Sequence, residues 1–594
     1  MFQRFDDRSN PANVGPRLSA LREEMEGLGL DGFLIPRGDA HQGENVAERD
    51  ERLAYVTGFT GSAGLAIVTQ GDAILFVDGR YTLQAPKQSD PDLVTFGKLG
   101  QCKPSDWLSE HLPDGGVVGF DPWLHVLSEV RGLGKALEAH DIKLMPVRNP
   151  VDMIWDDQPA APVTPLRIQP QDLAGLSHQE KRETIGSQLE EDGIDAVLLT
   201  QPDSIAWLLN IRGGDIPRTP VALCFAILHS SGRVELFIDE GKLTPEIDAH
   251  LGSDVAPARP SELVAALSQL KGKVQIDPDL TPYKLAQAID AETVEAGDPC
   301  IAMKARKTEA ELDGARAAHK RDGVAMVRFL HWLDTALEAG DEVTEIKLVE
   351  VLEGFRRESN TLQDISFETI SGIGPNGAIV HYRVTESSNR SLTPGEVILI
   401  DSGGQYPDGT TDITRTLATG ETDAEAKDAF TRVLLGMIDL TQARFPDGVT
   451  GRDLDAIARM PLWQIGKDYA HGTGHGVGAF LGVHEGPQSI ARSPRGAVKL
   501  EPGMILSNEP GYYEEGRFGI RIENLIAIHK AEDGFMEFET LTLCPIDRKM
   551  IAPEILPQSA KDWLNAYHQQ VFDALSPDLG EAETGWLRTA CAPL

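Results

Sequence analysis

His471-Gly-Thr-Gly-His475-Gly-Val-Gly-Ala-Phe-Leu-Gly-Val-His484-Glu-Gly-Pro487 poses the central question of this chain. Three histidines share the run with glycines at 472, 474, 476, 478, 482 and 486. So much glycine forbids a stable helix, because each one costs about 1 kcal/mol there. It lets backbone and histidines crowd closely around something. A phosphate loop does not fit, since no GxxxxGK[ST] pattern is present. The plain alternative is a glycine-rich surface loop with incidental histidines. What separates the two is whether carboxylates elsewhere join these histidines in a metal site.

Candidate carboxylates stand at the ends of apolar strands. Asp401 closes Glu396-Val-Ile-Leu-Ile-Asp401, and Asp412 follows in Thr410-Thr-Asp-Ile-Thr-Arg-Thr416. Pro407 and Gly409 between them predict a hairpin that brings the two aspartates together. Glu509 ends Met504-Ile-Leu-Ser-Asn-Glu509 ahead of Pro510. Glu523 lies in Gly519-Ile-Arg-Ile-Glu-Asn-Leu525, where strand alternation puts Arg521 and Glu523 on one face and Ile520 and Ile522 on the other. Taken singly, each carboxylate reads as a turn former or a salt-bridge partner. Together with a histidine they form an oxygen-rich set. Burying such charges uncompensated costs several kcal/mol each, so the set calls for cations. It suits hard or borderline divalent ions such as manganese, and fits thiol-preferring ions badly. Two such ions about 3.5–4 Å apart can bridge one water, lower its pKa and clamp a hydrolytic transition state.

The rest of the chain sets the frame. Its 594 residues are enough for about three or four domains. A net charge of −37 disfavours nucleic acid and anionic membrane surfaces. The cysteines, Cys102, Cys224, Cys300, Cys544 and Cys591, are odd in number and lack CxxC spacing, which suits a reducing compartment. The N-terminus lacks an apolar secretory core, and no apolar run approaches the ~18 residues of a membrane span. The expectation is a soluble cytoplasmic protein with no nucleic-acid or membrane partner.

Residues 1 to about 150 carry α/β patterning, with a helix predicted over 18–26 and strands over 31–35 and 73–77. A proline-rich passage from Pro146 to Pro170 marks a boundary. The pattern then restarts. Ser177-His-Gln-Glu180 is a capping box. Gly193-Ile-Asp-Ala-Val-Leu-Leu199 echoes Gly29-Leu-Asp-Gly-Phe-Leu-Ile35, Ile205-Ala-Trp-Leu208 echoes Leu53-Ala-Tyr-Val56, and Leu236-Phe-Ile-Asp239 echoes Leu75-Phe-Val-Asp78. Three matches in one order predict a duplicated module, against convergent patterning as the alternative. Neither copy gathers metal ligands, so the modules are expected to shape access, specificity or assembly. Thr308-Glu-Ala-Glu311 caps a long helix; further elements are predicted as a helix over 341–352 and strands over 397–400, 504–506 and 520–528. In the tail, Leu564, Tyr567, Val571 and Ala574 recur at helical spacing and predict a docked amphipathic helix.

The segments Gly374-Pro-Asn-Gly-Ala-Ile-Val-His381, Asp401-Ser-Gly-Gly-Gln-Tyr406, Thr411-Asp-Ile-Thr-Arg-Thr416, His471-Gly-Thr-Gly-His475, Val483-His-Glu-Gly-Pro487, Asn508-Glu-Pro-Gly511 and Arg521-Ile-Glu-Asn524 resemble the pita-bread metallopeptidases. Within that fold the chain looks most like the long, three-domain aminopeptidases P, which are Xaa-Pro aminopeptidases. The resemblance spans essentially the whole chain. It implies an α/β (α+β) architecture: creatinase-like domains at 1–155 and 156–303, a pita-bread catalytic domain at 304–543, and a C-terminal extension at 544–594 packed on it.

Residue by residue, the resemblance implies that Asp401, Asp412, His475, Glu509 and Glu523 bind two divalent ions, most often manganese, with zinc or cobalt as other options. Asp412 and Glu523 bridge both ions, Asp401 holds one, and His475 and Glu509 the other. His381 and His484 match the histidines that position substrate and stabilise the tetrahedral intermediate, and His471 matches one lining the proline-side pocket. Tyr513 and Arg521 match residues supporting the site. Glu509 or Glu523 relays the water proton; the sequence does not choose between them. The implied reaction is removal of the N-terminal residue from peptides with proline second, by a hydroxide bridging the ions, in a homodimer. The rivals are a prolidase-type Xaa-Pro dipeptidase and a non-hydrolytic peptide-binding protein of the same fold. A methionine aminopeptidase fits less well, because two full modules precede the catalytic domain.

Overall fold

A computed structural model describes the backbone of residues 1–594 and every side chain except that of Arg495. The chain divides into two compact units, one made of Arg8–Gln171 with Leu176–Ile301, the other of Met1–Asp7, Asp172–Gly175 and Ala302–Leu594.

The first unit contains the repeat. One six-stranded sheet runs in the order Thr95–Lys98, Ala73–Val77, Gly64–Thr69, Gly32–Pro36, Val117–Phe120, Lys143–Pro146. A second six-stranded sheet runs Val255–Ala258, Val234–Phe237, Phe225–His229, Ala196–Leu199, Lys273–Ile276, Glu292–Glu295. Going along each sheet, the pairings are parallel, antiparallel, antiparallel, parallel, parallel in both. Each echoed sequence segment lands on an equivalent element. The helices Arg52–Thr57 and Pro202–Leu208, for instance, both follow the central strand of their sheet. Identical order and identical strand sense in both sheets are what duplication produces and what convergent patterning has no reason to produce.

The second unit carries the catalytic motifs. Thr308 caps Glu309–Ala339 through the expected capping box. This long helix ends at Gly340, whose φ of +75° suits glycine. The helix predicted over 341–352 instead spans Glu345–Arg357. The reason is local: Asp341 N–H is still committed to the Ala336 carbonyl, and the next free cap is Thr344, whose hydroxyl accepts from Lys347 N–H.

Strand Val397–Ser402 is buried at all six positions, between Ile370–Ile373 and Ile413–Ala418. Ile398 and Ile400 pack with Met326, Phe329 and Leu330 of the long helix. A five-stranded sheet holds Glu485–Ile490, Gly474–Gly476, Ile505–Asn508, Asn524–Lys530 and Met536–Thr540 in that order. Leu506 and Ile526 pack with Leu454 and Ala458 of helix Gly451–Trp463. The single strand predicted over 520–528 is broken into Phe518–Arg521 and Asn524–Lys530. At the break, Ile522 N–H turns to the Pro510 carbonyl and Glu523 N–H to that of Thr414. The alternation survives, since Ile520 and Ile522 enter one core cluster.

The tail forms helix Gln558–Leu575, and Leu564, Tyr567 and Val571 are buried against Phe430, Leu434 and Ile438. Ala574 is only half-buried; Leu575 takes the core position instead.

Candidate metal centre

The hairpin between the two aspartates forms as its turn residues require. Asp401 faces Thr414 across the ladder of Val397–Ser402 with Ile413–Ala418, and Asp412 immediately precedes the returning strand. The other candidate ligands come from the five-stranded sheet and its strand ends. His475 lies in Gly474–Gly476, and Glu509 and Glu523 flank the paired residues Asn508 and Asn524. One ligand atom each of Asp412, His475 and Glu523 lie within 4.8 Å of one another. His475 Nε2 is 3.5 Å from both Asp412 Oδ2 and Glu509 Oε1.

The glycines of the opening run make this approach possible, though protein rather than a ligand lies against them. A Cβ on Gly474 would stand 2.0 Å from the Ser507 carbonyl oxygen, and one on Gly476 would stand 2.2 Å from that of Glu485. Side chains there would push the histidine strand off both its neighbours.

Each ligand is aimed by its neighbours. His475 Nδ1 meets the Gly476 carbonyl at 2.9 Å; a carbonyl only accepts, so the proton is on Nδ1 and Nε2 is turned to the carboxylates. Arg521 donates to Asp401 Oδ2 from Nε at 3.2 Å and Nη2 at 2.6 Å. Its Nη1 donates to the Tyr513 hydroxyl at 2.6 Å. His471 gives its Nδ1 proton to the Gly472 carbonyl, so its Nε2 accepts from the Tyr513 hydroxyl at 2.8 Å. A chain of polar contacts therefore runs from His471 through Tyr513 and Arg521 to Asp401. Thr414 Oγ1 donates to Glu523 Oε2 at 2.8 Å.

What remains after these bonds points to a cation. Asp401 Oδ1, Asp412 Oδ1 and Glu523 Oε1 are buried with no hydrogen-bond partner. Burial, with Asp412 adding to it and Arg521 opposing, pushes Asp401 up to about 6. Burial and then the neighbouring Asp412, Asp401 and Glu509 hold Glu523 well above the usual carboxylate range. Glu509 is raised too, chiefly by burial and against His475 and Arg521. Burial lowers the His475 imidazolium, but Asp412 and Glu509 overcome it and bring it to about 9. The metal-free site is thus short of positive charge and recruits protons. Divalent ions answer the same deficit by displacing those protons, and the orphaned oxygens and His475 Nε2 are the atoms a hard or borderline ion takes.

The remaining sequence-predicted residues lie around this cluster. His484 is exposed, with its ring 4.3 Å from that of His475, edge to face. His381 is half-buried in the turn beyond Gly374–Ala378, a segment packed so closely on Phe518–Arg521 that a Cβ on Gly519 would meet the Gly377 oxygen at 1.7 Å.

Sequence reasoning passed over several supports. Arg415 is fully buried and donates to the carbonyls of Thr414, Glu523, Cys544 and Pro545, to Asn524 Oδ1 and to the Tyr567 hydroxyl. It ties the backbone of both ligand hairpins to the tail helix. Asp455 and Arg459 hold the backbone before His475, with Arg459 donating to the Tyr469 and His471 carbonyls at 2.8 and 2.7 Å. The arginine beside Asp412 in Thr411-Asp-Ile-Thr-Arg-Thr416 was the one available signal, since an arginine on a strand next to a buried carboxylate must find acceptors.

The model of metallopeptidase family M24 matches residues 313–530, and that of the M24 C-terminal region matches 534–594. Two models of the creatinase/prolidase N-terminal domain match 17–154 and 157–311. Aminopeptidase P2 of Arabidopsis thaliana is 39% identical over 98% of this chain and 89% of its own length. The crystal structure of X-prolyl aminopeptidase from Caenorhabditis elegans, described as a cytosolic enzyme with a di-nuclear active site, superposes with a TM-score of 0.94 at 34% identity, covering 98% of this chain and all of that one. Xaa-Pro dipeptidase from Bacillus anthracis has a TM-score of 0.50 at 25% identity and covers 62% of this chain. The chain belongs to the M24 metallopeptidases, in their Xaa-Pro aminopeptidase P family.

Proposed function

We propose that the chain is a metal-dependent Xaa-Pro aminopeptidase, releasing the N-terminal residue of peptides whose second residue is proline. The observation that carries this reading is the convergence of Asp412, His475 and Glu523 on one point, beside orphaned oxygens of Asp401, Asp412 and Glu523. Full-length likeness to Xaa-Pro aminopeptidases supports the proline requirement. The same likeness favours this over the dipeptidase reading, since the dipeptidase structure covers only 62% of the chain.

Two divalent ions would be held by Asp401, Asp412, His475, Glu509 and Glu523. Manganese is the metal we propose, from the carboxylate-dominated donor set. When bound, the ions supply Lewis acidity and a water of lowered pKa.

The protein's own groups do the rest. Arg521 occupies one oxygen of Asp401 with two donors and leaves the other for metal. Glu509 or Glu523 accepts the water's proton and passes it to the leaving nitrogen. His484 is placed to donate to the carbonyl oxygen as charge develops there. His381 assists in holding the substrate, and His471, fixed by Tyr513, lines the side taken by proline. A proline nitrogen has no N–H, so selection rests on shape rather than on a donated hydrogen bond.

We further propose a division at 1–155, 156–303, 304–543 and 544–594, a cytoplasmic setting and a homodimer. The spans of the family models support the division, and the cytosolic relative supports the setting. No helix among the described residues is long and apolar enough to cross a membrane. Light scattering during size exclusion measures the oligomer.

The function is tested with a peptide panel after chelation, with and without added manganese. Turnover of Xaa-Pro-Yaa peptides restored by manganese is the expected result. Activity on Xaa-Pro dipeptides alone makes the protein a prolidase, and no metal-dependent turnover removes the hydrolytic reading altogether.

A further inference from the structure

Glu485, the neighbour of His484, is held by two buried lysines. Lys304 Nζ is 2.7 Å from its Oε2, Lys307 is paired with its Oε1, and none of the three side chains is more than 2% exposed. Lys307 Nζ also donates to the carbonyls of Lys304 at 3.1 Å and Ala305 at 3.5 Å. A single lysine would neutralise the carboxylate. A second buried ammonium is costly to desolvate and adds nothing to charge balance. Its effect is geometric, because both carboxylate oxygens are now fixed in place.

The other side of His484 is tied as well. The Leu481 carbonyl accepts from Gln405 Nε2 at 2.7 Å and from Thr410 Oγ1 at 3.4 Å, both on the arm between Asp401 and Asp412. Immediately before the Leu481 tie, Phe480 is held at φ +52°, a region bulky residues avoid unless the surroundings impose it. Gly478 N–H closes the loop on the Gly482 carbonyl at 3.0 Å. Glu485 itself pairs with Gly476 across the ladder, one residue from His475. His484 stands between the two ties, three residues after Leu481 and one before Glu485.

We propose that Glu485, Lys304 and Lys307 are positioning residues for hydrolysis: their ion-pair clamp sets His484 beside the metal ligand His475. The inference rests on the reading of His484 as a group that meets the substrate carbonyl. It assigns the lysines no contact with substrate or metal.

The test is a double-mutant cycle on the full-length, manganese-loaded protein with an Xaa-Pro-Yaa peptide. Lys307→Met leaves a one-to-one pair, and Glu485→Gln keeps the side-chain shape. Each is expected to lower kcat about tenfold, the low end for residues that orient site groups. KM is expected to change less, within about twofold, because the loss falls mainly on the contact that strengthens in the transition state. Melting temperature and bound manganese are followed in parallel. In a His484→Ala background the further loss from Lys307→Met should vanish, because the clamp then has nothing to place. His484→Ala with undiminished kcat overturns the reading of His484, and the inference with it. A loss from His484→Ala that simply multiplies with that from Lys307→Met overturns the clamp alone, as does an unchanged kcat in Lys307→Met. Lys307→Met lowers the buried net charge, so it keeps the test open if Glu485→Gln does not fold.

Discussion

Arg521 shows how a single side chain conditions the metal site. Its fork takes one oxygen of Asp401 and leaves the other bare, while its third nitrogen holds Tyr513. A lysine carries the same charge but cannot supply that geometry. Arg521→Lys is therefore expected to weaken manganese binding and kcat by about 10–100-fold, as read by calorimetric titration and steady-state kinetics. Wild-type affinity in the variant would show that Asp401 needs only a nearby charge. His568 is a structural counterpart far from this chemistry in chain terms. It is fully buried, and its Nε2 accepts from Ile546 N–H. Burial, with Arg415 and Arg548 adding to it, pushes its pKa down to about 3. Its unfolded value is about 6.5, so the stability it allows is complete above that pH and is lost as pH falls from there toward the folded value. The cost approaches about 2 kcal/mol at pH 5. His568→Gln brings an amide acceptor to the Nε2 position without the titration. Its melting temperature should fall less steeply than wild type between pH 7 and 5, and parallel profiles would refute the assignment.

Two strand systems make the site, and each is specified by a different kind of signal. The aspartate hairpin follows from an apolar run, a proline–glycine turn and a returning strand rich in β-branched residues, all within reach of nearest-neighbour rules. The histidine strand depends on what lies across from it. Nothing in the local sequence says that the Ser507 carbonyl lies 2.0 Å from where a Gly474 Cβ would be. Gly474→Ala is expected to displace the strand, cost about 1–3 kcal/mol of stability and abolish stoichiometric manganese uptake. Metal analysis and calorimetry check it, and a fully loaded variant would mean the sheet can shift without cost. The same distinction explains the misplaced helix start near 341. Its composition is helical, but Gly340 and the carbonyl of Ala336 claim those residues for the end of the preceding helix. The break at Ile522 was likewise invisible, because its N–H groups go to Pro510 and Thr414 rather than to a continuing ladder.

At the scale of the whole molecule, the acidic chain concentrates four carboxylates, Asp401, Asp412, Glu509 and Glu523, around one histidine ligand, and three of them are raised toward protonation. Metal binding and stability are therefore linked. Chelation is expected to lower the melting temperature, and manganese at 100 times its dissociation constant should restore about 2.7 kcal/mol per site. An unchanged transition on chelation would mean that the carboxylates are satisfied without metal. The duplicated modules, the capping boxes at Ser177 and Thr308 and the carboxylate-ended strands were all legible in the sequence, because each rests on residues a few positions apart. Tertiary structure alone decided which oxygens stay unpaired, and that Arg415, Lys304, Lys307 and Glu485 brace the site. Those outcomes depend on buried charges finding partners more than a hundred residues away. Burial, which makes such partners obligatory, exists only once the chain has closed around them.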